Sequence, residues 1–139
     1  MKTLKINHAA VWVFVVISQV TPALWYMAFS KSWMELNGLN EDQIQETMTA
    51  SPYISAIITS IVFGYVIAWL YVKLNIQSVG DGIKTAVILW LPFSLLGHIT
   101  LNLFTLQPYP LSWLDGGSDL IVYLTAGILF AGWKKYDEN

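Results

Sequence analysis

Apolar residues in this chain run in four long blocks, at about residues 8–29, 52–72, 83–106 and 112–133, separated by polar breaks. A helix rises about 1.5 Å per residue, so about 20 residues cover the roughly 30 Å of a bilayer's hydrocarbon core. The pattern predicts an all-α fold: a polytopic membrane protein, a four-transmembrane-helix bundle forming one membrane domain over residues 1–139. The break at residues 30–51 is the only sizeable one. Asn40 followed by Gln43 has the form of a capping box, which predicts a short interfacial helix from about Glu41 to Ala50. Trp33, Met34 and Leu36 place the start of this loop on the membrane surface.

Punctuation within the blocks sharpens the picture. Pro22 should kink or break the first helix, and Pro52 suits the first turn of the second. The basic start and Thr21-Pro22-Ala23 admit a cleaved signal peptide, but the apolar run continues through Leu24-Trp25-Tyr26 and favours a retained span. Residues 73–84, with Gly80-Asp81-Gly82, read as a turn. Ala56, Ser60, Gly64 and Ala68 fall every fourth residue, as do Asp119, Tyr123, Gly127 and Ala131. Small residues at that spacing let helices approach closely in lipid, either within the bundle or as the face of a homo-oligomer.

Composition agrees with the blocks. Of 139 residues, 55% are hydrophobic and 12% charged, against about 25% charged in soluble domains. The net charge is −2 and arginine is absent, so no basic patch exists for nucleic acid. Without cysteine there is neither a disulfide nor a thiolate metal site.

Lysines set the expected orientation. Lys2, Lys5, Lys73, Lys84, Lys134 and Lys135 share one side of a four-span chain, and only Lys31 lies on the other. The positive-inside rule then puts both termini in the cytoplasm. Trp12, Trp69 and Trp133 fall toward the inner face, and Trp25, Trp33 and Trp113 toward the outer. Trp90 sits deeper, and a belt does not explain it.

The third block carries Ser94, His98 and Asn102 at intervals of four, and the fourth carries Asp115 and Asp119. Groups at i and i+4 share a helix face. If the spans centre near Ser94 and Tyr123, His98 and Asp119 both lie ~6 Å to the outer side, and Asn102 and Asp115 both ~12 Å. The expected pairs are therefore His98 with Asp119 and Asn102 with Asp115, with Gln19 near mid-membrane on the first span. Histidine is the side chain that changes charge near neutral pH, so an outward polar cavity could relay a proton or hold an ion or small polar solute.

Structural readings stand beside this one. Ser112-x-x-Asp115 is itself a capping-box pattern, which makes Asp115 a helix-start residue. Asp119 reads equally as a headgroup-level edge residue, His98 as interhelical glue, and Asn102 and Gln19 as interhelical hydrogen bonders. No HExxH, paired histidines or cysteine cluster indicates a metal, and no cofactor is expected. His8 and His98 lie at opposite levels, so they cannot share one haem. A His98–Asp119–Asp115 metal site is allowed by residue type alone. No GxSxG, Walker or dinucleotide motif supports an enzyme.

The run Ala23-Leu24-Trp25-Tyr26-Met27-Ala28-Phe29-Ser30-Lys31-Ser32-Trp33-Met34, followed by Gly38-Leu39, resembles a family of bacterial four-helix membrane proteins, domain of unknown function 1761. The Ile6-Asn7 lead, Asp115-x-Gly117 and the stretch from Gly127 to Trp133 fit the same pattern. The chain departs from it at Thr21-Pro22, where Gly is usual, and at Met27-Ala28, where Ser-Pro is usual. The resemblance implies a retained first span and four helices, and it supplies no established activity. It draws attention to Trp25, Tyr26, Lys31 and Trp33, whose plainer reading is an aromatic belt with a loop anchor.

Three function classes follow. Passage of a proton, ion or small solute through the polar cavity leads. An accessory or assembly protein docking an unidentified protein partner through residues 30–51 comes second, and a membrane enzyme third.

Overall fold

The computed structural model describes residues 2–138. Its elements, in order, are β1 (Thr3–Lys5), α1 (His8–Ala28), α2 (Ser30–Asn37), α3 (Glu41–Thr47), α4 (Ala50–Lys73), α5 (Val79–Trp90), a π-helical turn (Leu91–Leu95), α6 (Leu96–Phe104), α7 (Tyr109–Gly132) and β2 (Lys135–Asp137). Four helical stretches are long and apolar enough to cross a membrane: α1, α4, Val79–Phe104 and α7. The fold is all-α apart from one small ribbon, in which β1 pairs antiparallel with β2.

Capping chemistry sets the boundaries. Asn7 accepts from the Ala10 amide and opens α1. The expected capping box of α3 is present, Asn40 and Gln43 each bonding the other's backbone amide. Residues 30–51 nevertheless hold two short helices where one was expected, and α3 stops at Thr47. Gly38, at φ 65°, ends α2 in the left-handed conformation that costs glycine nothing.

Three expectations need correction. Gly80-Asp81-Gly82 is the first turn of α5 and not a loop, because Ser78 caps that helix by accepting from the Asp81 amide. Of the kink or break expected at Pro22, the break is absent: α1 continues through it, because a helix in lipid has no better way to satisfy its other backbone groups. α7 begins at Tyr109, three residues before the expected start, with Pro110 in its first turn where a missing N–H costs nothing.

α7 is the hub: α1, α4, α5, the π turn and α6 all pack on it, and α4 lies chiefly against α1. The core occupies the half of the bundle near the chain termini, built from Val11, Phe14, Ile67, Tyr71, Ala126 and Phe130. Both small-residue seams are used inside the chain. Gly64 faces the Phe14 ring, where a Cβ would stand 2.9 Å from Cδ1. Gly82 faces Gly127, and a Cβ on Gly82 would lie 2.4 Å from the Gly127 carbonyl oxygen. Contacts this close replace the hydrophobic drive that lipid does not supply. Outward residues such as Phe93 and Leu103 are exposed, as expected where the solvent is hydrocarbon.

Candidate functional site

The site starts from a backbone irregularity. Pro92 has no N–H and its ring clashes with the carbonyl four residues back. The helix widens there into a π turn, and the Leu96 amide donates to the Leu91 carbonyl. Such turns recur at functional sites. Here it sets Ser94 and His98 over one carboxylate of α7. Ser94 Oγ donates to Asp119 Oδ2 at 2.7 Å, and His98 Nε2 lies 3.0 Å from the same oxygen. An ionised carboxylate only accepts, so Nε2–H is then the donor. Ser94 is buried. The His98 and Asp119 side chains keep 32% and 43% of their surface open.

One turn along α7, Asp115 Oδ1 accepts from the Tyr26 hydroxyl at 2.7 Å. Trp33 of α2 stands edge-on to the Tyr26 ring, with centroids 6.0 Å apart. Trp25 donates its indole N–H to the Leu114 carbonyl at 3.0 Å, and its ring covers Gly117, where a Cβ would lie 2.9 Å from Cζ2. Tyr26, Trp33, His98, Asp115 and Asp119 together line an open cleft of about 420 Å³. No lysine lines it, so its two carboxylates favour cations and hydrogen-bond donors.

The expected His98–Asp119 contact is therefore present, and the expected Asn102–Asp115 contact is not. Asn102, which is buried, donates to Ser112 Oγ at 2.9 Å. The early start of α7 puts Ser112 inside the helix, so Asp115 is not a capping residue. Gln19 is elsewhere: its amide donates to Ser60 at 2.6 Å, on the α1–α4 seam. Lys31 is exposed on α2 and forms no ion pair among the described residues. Trp25, Tyr26 and Trp33 are half-buried by these contacts, whereas Trp12, Trp69, Trp113 and Trp133 remain exposed. Among the described residues, no three His, Cys, Asp or Glu side chains could hold a metal ion. The three-residue metal site allowed by type is therefore not assembled.

Trp90 is the residue that sequence reasoning left unexplained. Its indole donates to the Gly116 carbonyl at 2.7 Å, fixing the approach of the third span to α7. A deep indole N–H needs an acceptor, and that requirement was the available signal.

The two motifs that carried the family resemblance thus touch: Leu24-Trp25-Tyr26 on α1 rests against Asp115-x-Gly117 on α7. Comparison with curated proteins and with solved structures found no match. A match to the family described as protein of unknown function (DUF1761) extends over residues 9–131, and the chain belongs to that family.

Proposed function

We propose that the protein passes a proton or another small cation across its membrane, with the His98–Asp119 pair as the acceptor. The observation that carries this reading is an Asp119 carboxylate in the body of a membrane-crossing helix, held by Ser94 and His98 yet open to a cleft with a second carboxylate. A charge near the centre of a span costs about 2.5–3.5 kcal/mol, and such residues ordinarily mark ion or proton pathways. The opposite half of the bundle is closed by Phe14, Phe130 and the Gly82–Gly127 contact. Passage therefore requires a second conformation, open at the other end. The lysine distribution supports cytoplasmic termini, with the cleft facing outward.

Proteoliposomes with a trapped pH dye and an imposed potassium diffusion potential test this. Wild type should pass protons, while His98→Ala and Asp119→Asn should fall to the rate of empty vesicles and still elute as wild type in detergent. Equal rates in all three, or no flux above empty vesicles, would exclude the reading.

One observation favours a second reading, an accessory role. Trp25, Phe29, Leu36, Pro110 and Trp113 line a groove of about 590 Å³ between α2 and the start of α7. A docking function there predicts that Trp113→Ala abolishes partner recovery and that His98→Ala does not.

A further inference from the structure

Asp119 is shared by two spaces. On one side lies the His98 cleft. On the other, a chamber of about 590 Å³ opens between α1, α4 and α7, and Asp119 also lines it. We propose that this second chamber is a binding site for a lipophilic organic cation, with Asp119 as its counter-charge. The proposal goes beyond the transport reading and shares with it only the charge on Asp119.

Three features of the chamber converge on that chemistry. Its aromatic wall is Phe14, Phe63 and Tyr123, the last two packed edge-on with centroids 4.9 Å apart. Aromatic faces attract organic cations, most strongly when the cation is desolvated. Its only charged lining residue is Asp119, and no lysine or histidine lines it. Asp119 Oδ2 is occupied by Ser94 and His98, while among the described residues no side chain donates to Oδ1. An anion would meet repulsion here, and a neutral lipophile would leave Oδ1 without a donor.

Access also suits an amphiphile. Residues 50–59 of α4 are exposed throughout, so the chamber's α4 side is bounded by a half-helix with no helix packed over it. Ser60 and Thr59 supply hydroxyls along that wall. Pro22 lines the opposite wall together with Ser18. Because Pro22 has no N–H, the Ser18 carbonyl lacks its helical donor. The volume falls within the roughly 300–1,000 Å³ of small-molecule sites.

The probe is radiolabelled tetraphenylphosphonium in equilibrium dialysis against the full chain in detergent, with neutral triphenylphosphine oxide for comparison. Wild type should bind the cation saturably. Asp119→Asn should weaken it at least about tenfold. Thr59→Trp, which adds bulk to the chamber's α4 wall, should do the same, and Glu35→Gln should change nothing. The neutral compound should bind equally weakly to wild type and Asp119→Asn. Unchanged affinity in Thr59→Trp places binding elsewhere and overturns the proposal. Equal uptake of the neutral and cationic probes does so as well, because it is partitioning into apolar surface. If Asp119→Asn does not fold, the Thr59 variant and the neutral comparison still decide. Saturable binding without proton flux would sink the transport reading and leave this site standing; flux without binding would do the reverse.

Discussion

The Tyr26 hydroxyl donates to Asp115 Oδ1 at 2.7 Å, joining α1 to α7 across 89 residues of sequence. A hydrogen bond to a carboxylate is worth about 1.5–3 kcal/mol when buried, and this one borders an open cleft. Tyr26→Phe should therefore destabilise the protein by about 1 kcal/mol, read from denaturation in mixed micelles. The cleft should still form, because Trp25 holds the same pair of helices through Leu114. A loss as large as that of a core truncation would show that Tyr26 does more than this bond.

The close approach of α5 to α7 predicts a graded glycine series. Gly82→Ala puts a Cβ 2.4 Å from backbone oxygen, which cannot move aside, and should cost about 1–3 kcal/mol. At Gly132 the nearest atom to an added Cβ is 3.4 Å away, on the Val79 side chain. Gly132→Ala should stay within about 0.5 kcal/mol of wild type. Thermal denaturation of both variants checks the order.

Asn102 and Ser112 form an isolated buried pair. Ser112→Ala alone strands the Asn102 amide and should cost about 1–3 kcal/mol. Adding Asn102→Leu removes the stranded group, so the double variant should regain part of that loss. A double variant less stable than Ser112→Ala would mean that the pair is not self-contained.

The Lys5–Asp137 ion pair closes the terminal ribbon at 2.6 Å, with both side chains more than two-fifths exposed. Exposed pairs contribute about 0–1 kcal/mol and are screened by salt. Asp137→Asn should shift stability by less than about 1 kcal/mol, and high salt should erase the difference.

The sequence was most informative where lipid imposes a rule on every residue. Four blocks of about 20 apolar residues admit four crossing helices and little else, because unpaired backbone groups are intolerable in hydrocarbon. The Asn40–Gln43 cap was readable because it is local. The His98–Asp119 match followed from helical rise alone, since antiparallel neighbours set equal depths side by side.

Local patterns misled where a distant group competed for the same residue. Ser112-x-x-Asp115 reads as a cap, yet Tyr109 and Pro110 start α7 earlier, and the two side chains go to Asn102 and Tyr26. Gly80-Asp81-Gly82 reads as a turn, but Ser78 begins a helix and Gly82 serves the contact with Gly127. The spacing of Gly82 and Ala86 was the overlooked sign. The lead and tail that look merely polar pair as a ribbon only because the fold brings the ends together.

The number and type of the long segments, and the spacing of polar groups along each, were determined by the sequence, because both depend on distance along one helix. Which faces meet was decided by the tertiary structure. It depends on rotation about each helix axis, and small shifts accumulate there: a three-residue change in the start of α7 or one widened turn at Pro92. Only the assembled chain could reveal that Trp25 and Tyr26 brace α7 rather than face lipid, and that Asp119 stands between two chambers.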